Sequence, residues 1–541
     1  MKILKKVVCL LIAFSLLLTL TACRKVKGDG SFYLDGVDSQ VVVANGDLSD
    51  SQNDAVASNT GGTGGATSGS DISETGKPSS QSPQSSAAET ASQYPPYSGN
   101  LPSVSEGNIP QFEQRGFNIS GFWAPYEISE ANFKQYKDVG FTEFAMINHD
   151  PTLRNTSKEQ FYLGSERTMK ALEICRKVGL KAIINHNDWK ASQCEGKSYN
   201  NTTPFSQYDL YGDYKDIIRG VQICDEPYLS SVDIYGNKTL IDDFKKVYPN
   251  ARYILNLIPY NSVTSRGFQS YEQMMQIFEE RFMKPFENPY VSVDVYPFHE
   301  GSKSDDATLA LNYRYIAESA KKFNVKPAFI LQSSVGGGEF ETSLSEADLR
   351  WEINNALAFG ADTLQYYCYA VPTSVNGTGR TYDYCILKQD NTPSNVYYSL
   401  QKLHKEIKSF SNVILAYDWD KTIGASGLEE SAYRVAHIEY DLDFNPLTFD
   451  NAKHYVGIKT THDMLISRFT NQKYGEAYMF VNFADRGGNC KADISFKYCK
   501  AVAVYGGAGF NGTPKILNLD GNGNLSLNLA YGEGVFVIPL V

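Results

Sequence analysis

The chain has 541 residues, a formal net charge of −11 and 36 tyrosines. That acidic balance argues against a nucleic-acid partner, whose phosphates need a basic face. Nine cysteines with no CxxC pair, and no Cys/His cluster at ligand spacing, give no sign of a metal or of any cofactor.

A basic start (Lys2, Lys5, Lys6) leads into an apolar run from Val7 to about Leu20, short for a membrane span. This is the pattern of a secretory signal over residues 1–22. Cys23 follows Leu20-Thr21-Ala22 and resembles the acylated cysteine of a bacterial lipobox. The resemblance implies a surface lipoprotein held to the cell membrane through lipidated Cys23 alone. More than one acyl chain there suits stable anchoring. Residues 23–110 are rich in Ser, Gly, Thr and Asn, and between Ser31 and Pro110 the only basic residue is Lys77. Such a segment buries too little apolar surface to offset its conformational entropy, so a disordered stalk is predicted. As a flexible coil it would reach roughly 50 Å.

Residues 111–412 alternate β-branched runs with amphipathic helical patterns, the signature of βα units. The predicted strands are 116–123, 141–147, 181–186, 220–224, 252–257, 290–296, 328–332 and 363–369. Helices are predicted at 130–139, 166–178, 230–247 (with a break), 271–284, 308–323, 345–359 and 394–409. No helical period stands out between the third and fourth strands. Eight strands in this alternation predict a (β/α)₈ TIM barrel. A doubly wound open sheet is the alternative, but no Gly-rich phosphate loop follows the first strand.

Residues 413–541 read as short strands at 432–440, 454–458, 478–482, 491–496, 501–505, 525–529 and 534–539. Bounded by Gly, Asn and Asp, they predict an antiparallel β-sandwich, read as a stabilising module. Cys175, Cys224 and Cys368 sit in apolar contexts and read as buried thiols, whereas Cys490 and Cys499 could pair.

Chemistry in a barrel of this kind collects at the C-terminal strand ends. Those ends hold Trp123, then His149, then Asn185, His186 and Trp189, then Asp225 and Glu226. They continue with Asn256, with Asp294 and Tyr296, with Gln332 and with Tyr367. Aromatic faces stack on sugar rings, and Asn, Asp and His match hydroxyls with donors and acceptors. A single Tyr or Trp here is more often core than ligand, but eight polar, aromatic ends are hard to assign to packing. His149, His186 and His299 come from three strands without a local motif, which favours sugar contacts over a metal. An isolated Asp225-Glu226-Pro227 is equally a solvated turn. Its place after the apolar run 217–224 favours function.

Gly121-Phe122-Trp123-Ala124-Pro125, Asp225-Glu226-Pro227, Asp294-Val295-Tyr296-Pro297-Phe298 and Leu349-Arg350-Trp351 resemble the clan A glycoside hydrolases, closest to family 42 β-galactosidase-like barrels. The likeness spans roughly residues 115–420 and implies a carbohydrate substrate. In that clan Asn-Glu-Pro closes strand four and its Glu is the proton donor. Glu226 matches, with Asp225 in place of the Asn. The clan's nucleophile, a Glu ending strand seven, is matched by Gln332, an amide that cannot play that part. Three completions stay open. Asp294 can activate water for inversion if the carboxyls stand about 6.5–9.5 Å apart. Asp225 and Glu226 can act as a pair, as in some hexosaminidase barrels where the Asp orients the substrate's acetamido group. Consecutive strand residues face opposite ways, so this requires a bulge or a strand end. Lastly, Glu339 or Glu341, after Gly336-Gly337-Gly338, can supply the nucleophile from a loop.

The expected function is a surface-anchored glycoside hydrolase acting on oligosaccharide or polysaccharide bonds, with Glu226 as general acid/base. Gln332 keeps open a rival from another class, a non-catalytic carbohydrate-binding lipoprotein. A transporter's solute-binding lipoprotein is disfavoured, because one barrel lacks two hinged lobes.

Overall fold

The computed structural model describes residues 109–541 except 124, 126, 147–160, 162, 187–203, 300–303, 373–381, 429–448 and 485. The signal, Cys23, nearly all of the stalk, His149, Trp189 and the strand expected at 432–440 lie outside the described residues.

Eight parallel strands form one sheet: β1 Asn118–Gly121, β2 Glu143–Ala145, β3 Lys181–Asn185, β4 Ile218–Asp225, β5 Arg252–Leu257, β6 Ser292–Asp294, β7 Ala328–Gln332 and β8 Thr363–Tyr367. Their order is β1-β8-β7-β6-β5-β4-β3-β2. Across the seam the Thr142 N–H donates to the Ile119 carbonyl at 2.8 Å, and the Ile119 N–H to the Thr142 hydroxyl at 2.8 Å. The sheet thus wraps into the (β/α)₈ barrel that the alternation predicts.

The helices are α1 Glu130–Asp138, α2 Glu166–Val178, α3 Leu229–Tyr235, α4 Lys238–Val247, α5 Tyr271–Phe278, α6 Ser304–Lys322, α7 Glu346–Ala358 and α8 Asn395–Lys408. Their ends follow the sequence signals. The Ser165 hydroxyl accepts the Thr168 N–H at 3.2 Å to start α2, which stops at left-handed Gly179. Ser345 and Asp348 cap each other's backbone in a reciprocal box at the start of α7. Two readings are sharpened. The 230–247 helix is two helices, α3 and α4, with the second starting at the Asn237 cap. Between β3 and β4 a 3₁₀ segment, Phe205–Tyr214, stands where no helical period was visible.

Beyond the barrel lie β9 Asp418–Ala425, β10 Tyr455–Thr460, β11 Met464–Asn471, β12 Gly475–Asn482, β13 Cys490–Phe496, β14 Ala501–Gly506, β15 Lys515–Asn518, β16 Asn524–Leu529 and β17 Gly534–Leu540. They make a six-stranded sheet, β15-β14-β17-β12-β11-β9, and a three-stranded sheet, β10-β13-β16. Alternate residues divide the larger sheet. Ile466, Phe480, Val504 and Val537 pack with Ile494 and Leu527 of the smaller sheet, forming the sandwich core. Leu465, Met479, Ala503 and Phe536 turn the other way, into the core shared with the barrel helices. This explains why α7 is buried nearly all round. Its Trp351 is fully buried and stacks on Phe483, ring centroids 5.2 Å apart. Strands β9, β11 and β15 were not anticipated. Cys490 and Cys499 are both free thiols, and the Cys490 sulfur lies 2.8 Å from the Thr460 hydroxyl.

Candidate active site

Period-two alternation sorts the barrel residues into two faces. Ala145, Ile183, Ile254, Ala328 and Ile330 share the interior. Phe144, Ile184, Leu255, Phe329 and Leu331 join the core beneath the helices. Strand β4 breaks the rule, since both Ile223 and Cys224 belong to the helix-side core. Its pairing with β5 slips by one residue between Gln222 and Cys224. This bulge re-phases the strand and brings Asp225 opposite Asn256, whose side chain it meets by hydrogen bond. Glu226 follows with φ +45°, a left-handed backbone that costs a non-glycine residue about 1–3 kcal/mol. Its N–H nonetheless donates to the Asn256 carbonyl at 3.0 Å. Bulge and left-handed residue together bring two consecutive acids to one rim, which a regular strand cannot do.

Asn256 organises this rim. Its amide oxygen accepts from the Ser292 hydroxyl at 3.0 Å, and its amide nitrogen donates to Asp294 Oδ1 at 2.7 Å. Asn256 is 1% exposed, so its part at the mouth is to position the acids it holds. Burial, and then the nearby charge of Glu226, pushes the Asp225 carboxyl up to about 7 against the Asn256 hydrogen bond. Burial also holds Asp294 well above the usual carboxylate range, with the charges of Glu226 and Asp225 adding to it. Three carboxyls at one mouth therefore carry fewer than three charges at neutral pH. Glu226 Oε2 is paired with Arg266, at the end of the 3₁₀ turn Tyr260–Arg266. The same guanidinium donates to the Tyr228 hydroxyl at 2.7 Å and lies over that ring, 4.7 Å from its centroid. Nothing in the sequence tied Arg266 to Glu226, because the two are joined only by neighbouring strand ends.

The raised Asp225 has a consequence for stability. Its folded carboxyl binds a proton more tightly than the unfolded one, so its contribution is fully present below about pH 4 and is lost as pH rises through about 7. Asp225→Asn, which cannot ionise, is expected to gain Tm relative to the parent as pH rises from 4 to 8. Parallel melting profiles across that range would show the carboxyl to be unperturbed.

Aromatic rings line the other side of the mouth. Tyr296 stacks on Tyr367 with centroids 5.2 Å apart, and Trp123 meets Tyr367 edge-on at 6.5 Å. Phe340 and Tyr382 extend the group, stacked at 5.3 Å. These last two were not foreseen, since they come from loops whose sequence carries no period. Among the inward positions, the Asn185 amide nitrogen and the Gln222 amide oxygen are buried without a hydrogen-bond partner among the described residues. They leave one donor and one acceptor for a bound molecule or water.

Two expected sugar contacts are corrected. His186 shares the outward phase of Ile184, is 1% exposed, and stacks on Phe205 at 4.6 Å. Its Nδ1 lies 2.8 Å from the Tyr208 hydroxyl, and burial pushes the imidazole down to about 4, so it is a neutral packing residue. Gln332 is fully buried. Its amide oxygen accepts the Phe298 N–H at 2.8 Å, and its amide nitrogen donates to the Phe298 and Ser334 carbonyls at 3.1 and 3.2 Å. It is a brace between two strand ends. Gln332→Glu would set a carboxylate against those two carbonyls, at a cost of about 1–3 kcal/mol for the lost pairing. A lower Tm with no gain in turnover is the expected result, and any gain in hydrolysis would refute the bracing role.

The two loop acids part company. Glu341 pairs with Arg486, which also binds Asp348 at 2.7 Å, so it is engaged with the C-terminal domain. Glu339 is exposed and accepts from the Tyr382 hydroxyl at 3.4 Å, at the edge of the ring group. Among the described residues no group of three or more His, Cys, Asp or Glu side chains is arranged to hold a metal ion.

No protein-family model and no curated protein matches the sequence. Among solved structures, the chain is similar to a family 39 glycoside hydrolase from Bacteroides cellulosilyticus, at 12% identity and TM-score 0.42, covering 80% of this chain and 83% of that one. A catalytic mutant of a family 42 β-galactosidase from G. stearothermophilus aligns at 8% identity and TM-score 0.48, over 79% and 99% of the two chains. A family 30 endoxylanase from Clostridium papyrosolvens aligns at 11% identity and TM-score 0.35, over 80% and 97%.

Proposed function

We propose that the chain is a glycoside hydrolase acting at the C-terminal mouth of its barrel, with Glu226 as proton donor. The observation that carries this reading is the bulged, left-handed strand end that turns Asp225 and Glu226 to one rim, facing the Tyr296–Tyr367 stack. Backbone strain of this kind persists where the surroundings impose it, and it clusters at functional sites. Rings stack on the sugar, and an acid beside them protonates the leaving oxygen.

Of the three ways to complete the reaction, the adjacent pair fits best. Burial pushes the Asp294 carboxyl well above the usual carboxylate range, so it suits a hydrogen-bond donor better than a base. Asp225, titrating at about 7 beside Glu226, suits a group that holds a substrate polar group and changes charge as the reaction proceeds. With an amide brace at the end of β7, the nucleophile on this reading is the substrate's own 2-acetamido oxygen. Glu339 is the runner-up, because it alone of the loop acids is exposed beside the rings. The same reading places the protein at the outer surface, anchored through Cys23.

The test is hydrolysis by the wild type of aryl glycosides and oligosaccharides with and without a 2-acetamido group, read as released aglycone and reducing ends. Turnover confined to 2-acetamido sugars supports the paired mechanism. Turnover of plain glycosides, abolished in Glu339→Gln, would transfer the second role to Glu339. Binding without turnover across the panel would favour the non-catalytic carbohydrate-binding protein.

A further inference from the structure

Beneath the ring group lie two cysteines that the proposed chemistry does not use. Cys368 directly follows β8, and Cys385 lies three residues after Tyr382. Their sulfurs are 3.2 Å apart, and both residues are fully buried. The Ser334 hydroxyl lies 3.5 Å from one sulfur and 3.7 Å from the other. Closing the pair to a bond of about 2.05 Å needs a movement of roughly 1 Å.

The backbone around them is already registered. The Ile386 N–H donates to the Cys368 carbonyl at 3.3 Å, the Leu387 N–H to the Tyr369 carbonyl at 2.8 Å, and the Asp383 N–H to the Val335 carbonyl at 2.9 Å. These bonds hold the segment carrying Tyr382 against the ends of β7 and β8. Cys175, Cys224, Cys490 and Cys499 are free thiols.

We propose that Cys368 and Cys385 are a modification site, closing to a disulfide that pins the Tyr382 segment to the barrel rim. An exported chain folds where disulfides persist, which is the compartment its N-terminal pattern predicts. In the step, one thiolate attacks a small-molecule disulfide such as oxidised glutathione, forming a mixed disulfide and releasing one glutathione. The second thiolate displaces the other glutathione, so two thiols lose two protons and two electrons and one disulfide is reduced to two thiols. Burial pushes the Cys368 thiol up, so exchange belongs to folding, before the pair is enclosed.

Full-length protein refolded with oxidised glutathione, denatured without reductant and alkylated, provides the test by peptide mapping. The expected result is a linked pair of peptides holding Cys368 and Cys385, lighter by two hydrogens, with the other cysteines alkylated. Dithiothreitol should split it and lower Tm by several degrees, a shift absent from Cys385→Ser and from Cys368→Ser. Full alkylation of both residues after refolding, or a bridge from either to another cysteine, would overturn the proposal. Neither outcome depends on whether the barrel hydrolyses glycans.

Discussion

Glu226→Gln is expected to lower kcat by about 10²–10⁴-fold while changing KM little, the usual worth of a positioned general acid. The amide keeps the volume of the carboxyl and can still accept from Arg266, so the rim should hold its shape. What it loses is the proton that must reach the leaving oxygen. Relieving one charge should also let the Asp225 and Asp294 carboxyls fall toward their ordinary range, because the Glu226 charge is among the causes raising both. The alkaline limb of any residual pH–rate profile should therefore move to lower pH. Steady-state kinetics across pH on one cleaved glycoside decide the point. Wild-type kcat in this variant would remove Glu226 from the chemistry altogether.

Trp351→Ala is expected to cost about 3–5 kcal/mol of stability, the largest single effect on the fold. The indole is fully buried in α7, between the barrel and the larger sheet of the sandwich. It contacts Phe483 of the C-terminal domain at 5.2 Å and Phe298 of the barrel rim at 5.9 Å. Removing it empties both contacts at once, and neither backbone can close the gap without moving a packed element. The Arg350–Glu406 pair beside it, 8% exposed on each side chain, depends on the same packing to stay dry. Urea unfolding should show a lower midpoint in this variant and an unchanged one in Tyr498→Ala, whose ring is 74% exposed. Equal midpoints would mean that the two domains do not share a core.

The barrel was legible because its signals are local. Caps such as Ser165 and Ser345, stops such as Gly179, and short apolar runs such as residues 252–257 each act within a few residues. The sandwich was only partly legible. Its β9 strand, Asp-Trp-Asp-Lys-Thr-Ile-Gly-Ala, opens with charges and carries few apolar residues, so no alternation announces it. At the candidate site, the position of Asp225-Glu226 at a strand end could be read, since an apolar run leads into it. The bulge could not, because it depends on register against β5 and leaves no mark in composition. For the same reason His186 was placed on the wrong side of the wall, whereas Gln332 shares the inward phase of Ala328 and Ile330 but has its amide taken up by Phe298 and Ser334. Phase at a strand end is set by the neighbouring strand and the next loop. Arg266, Tyr382 and Phe340 reach the mouth through tertiary contacts between distant loops, for which the sequence holds no spacing rule.

The most direct measurement compares the wild type and Glu226→Gln on the same glycan, recording binding by calorimetry and cleavage by product release. The account predicts that the wild type cleaves it and that the variant binds it with similar affinity but cleaves at least about 10²-fold more slowly. A wild type that binds glycans at this mouth and cleaves none of them, or a variant that cleaves as fast as the wild type, would contradict it.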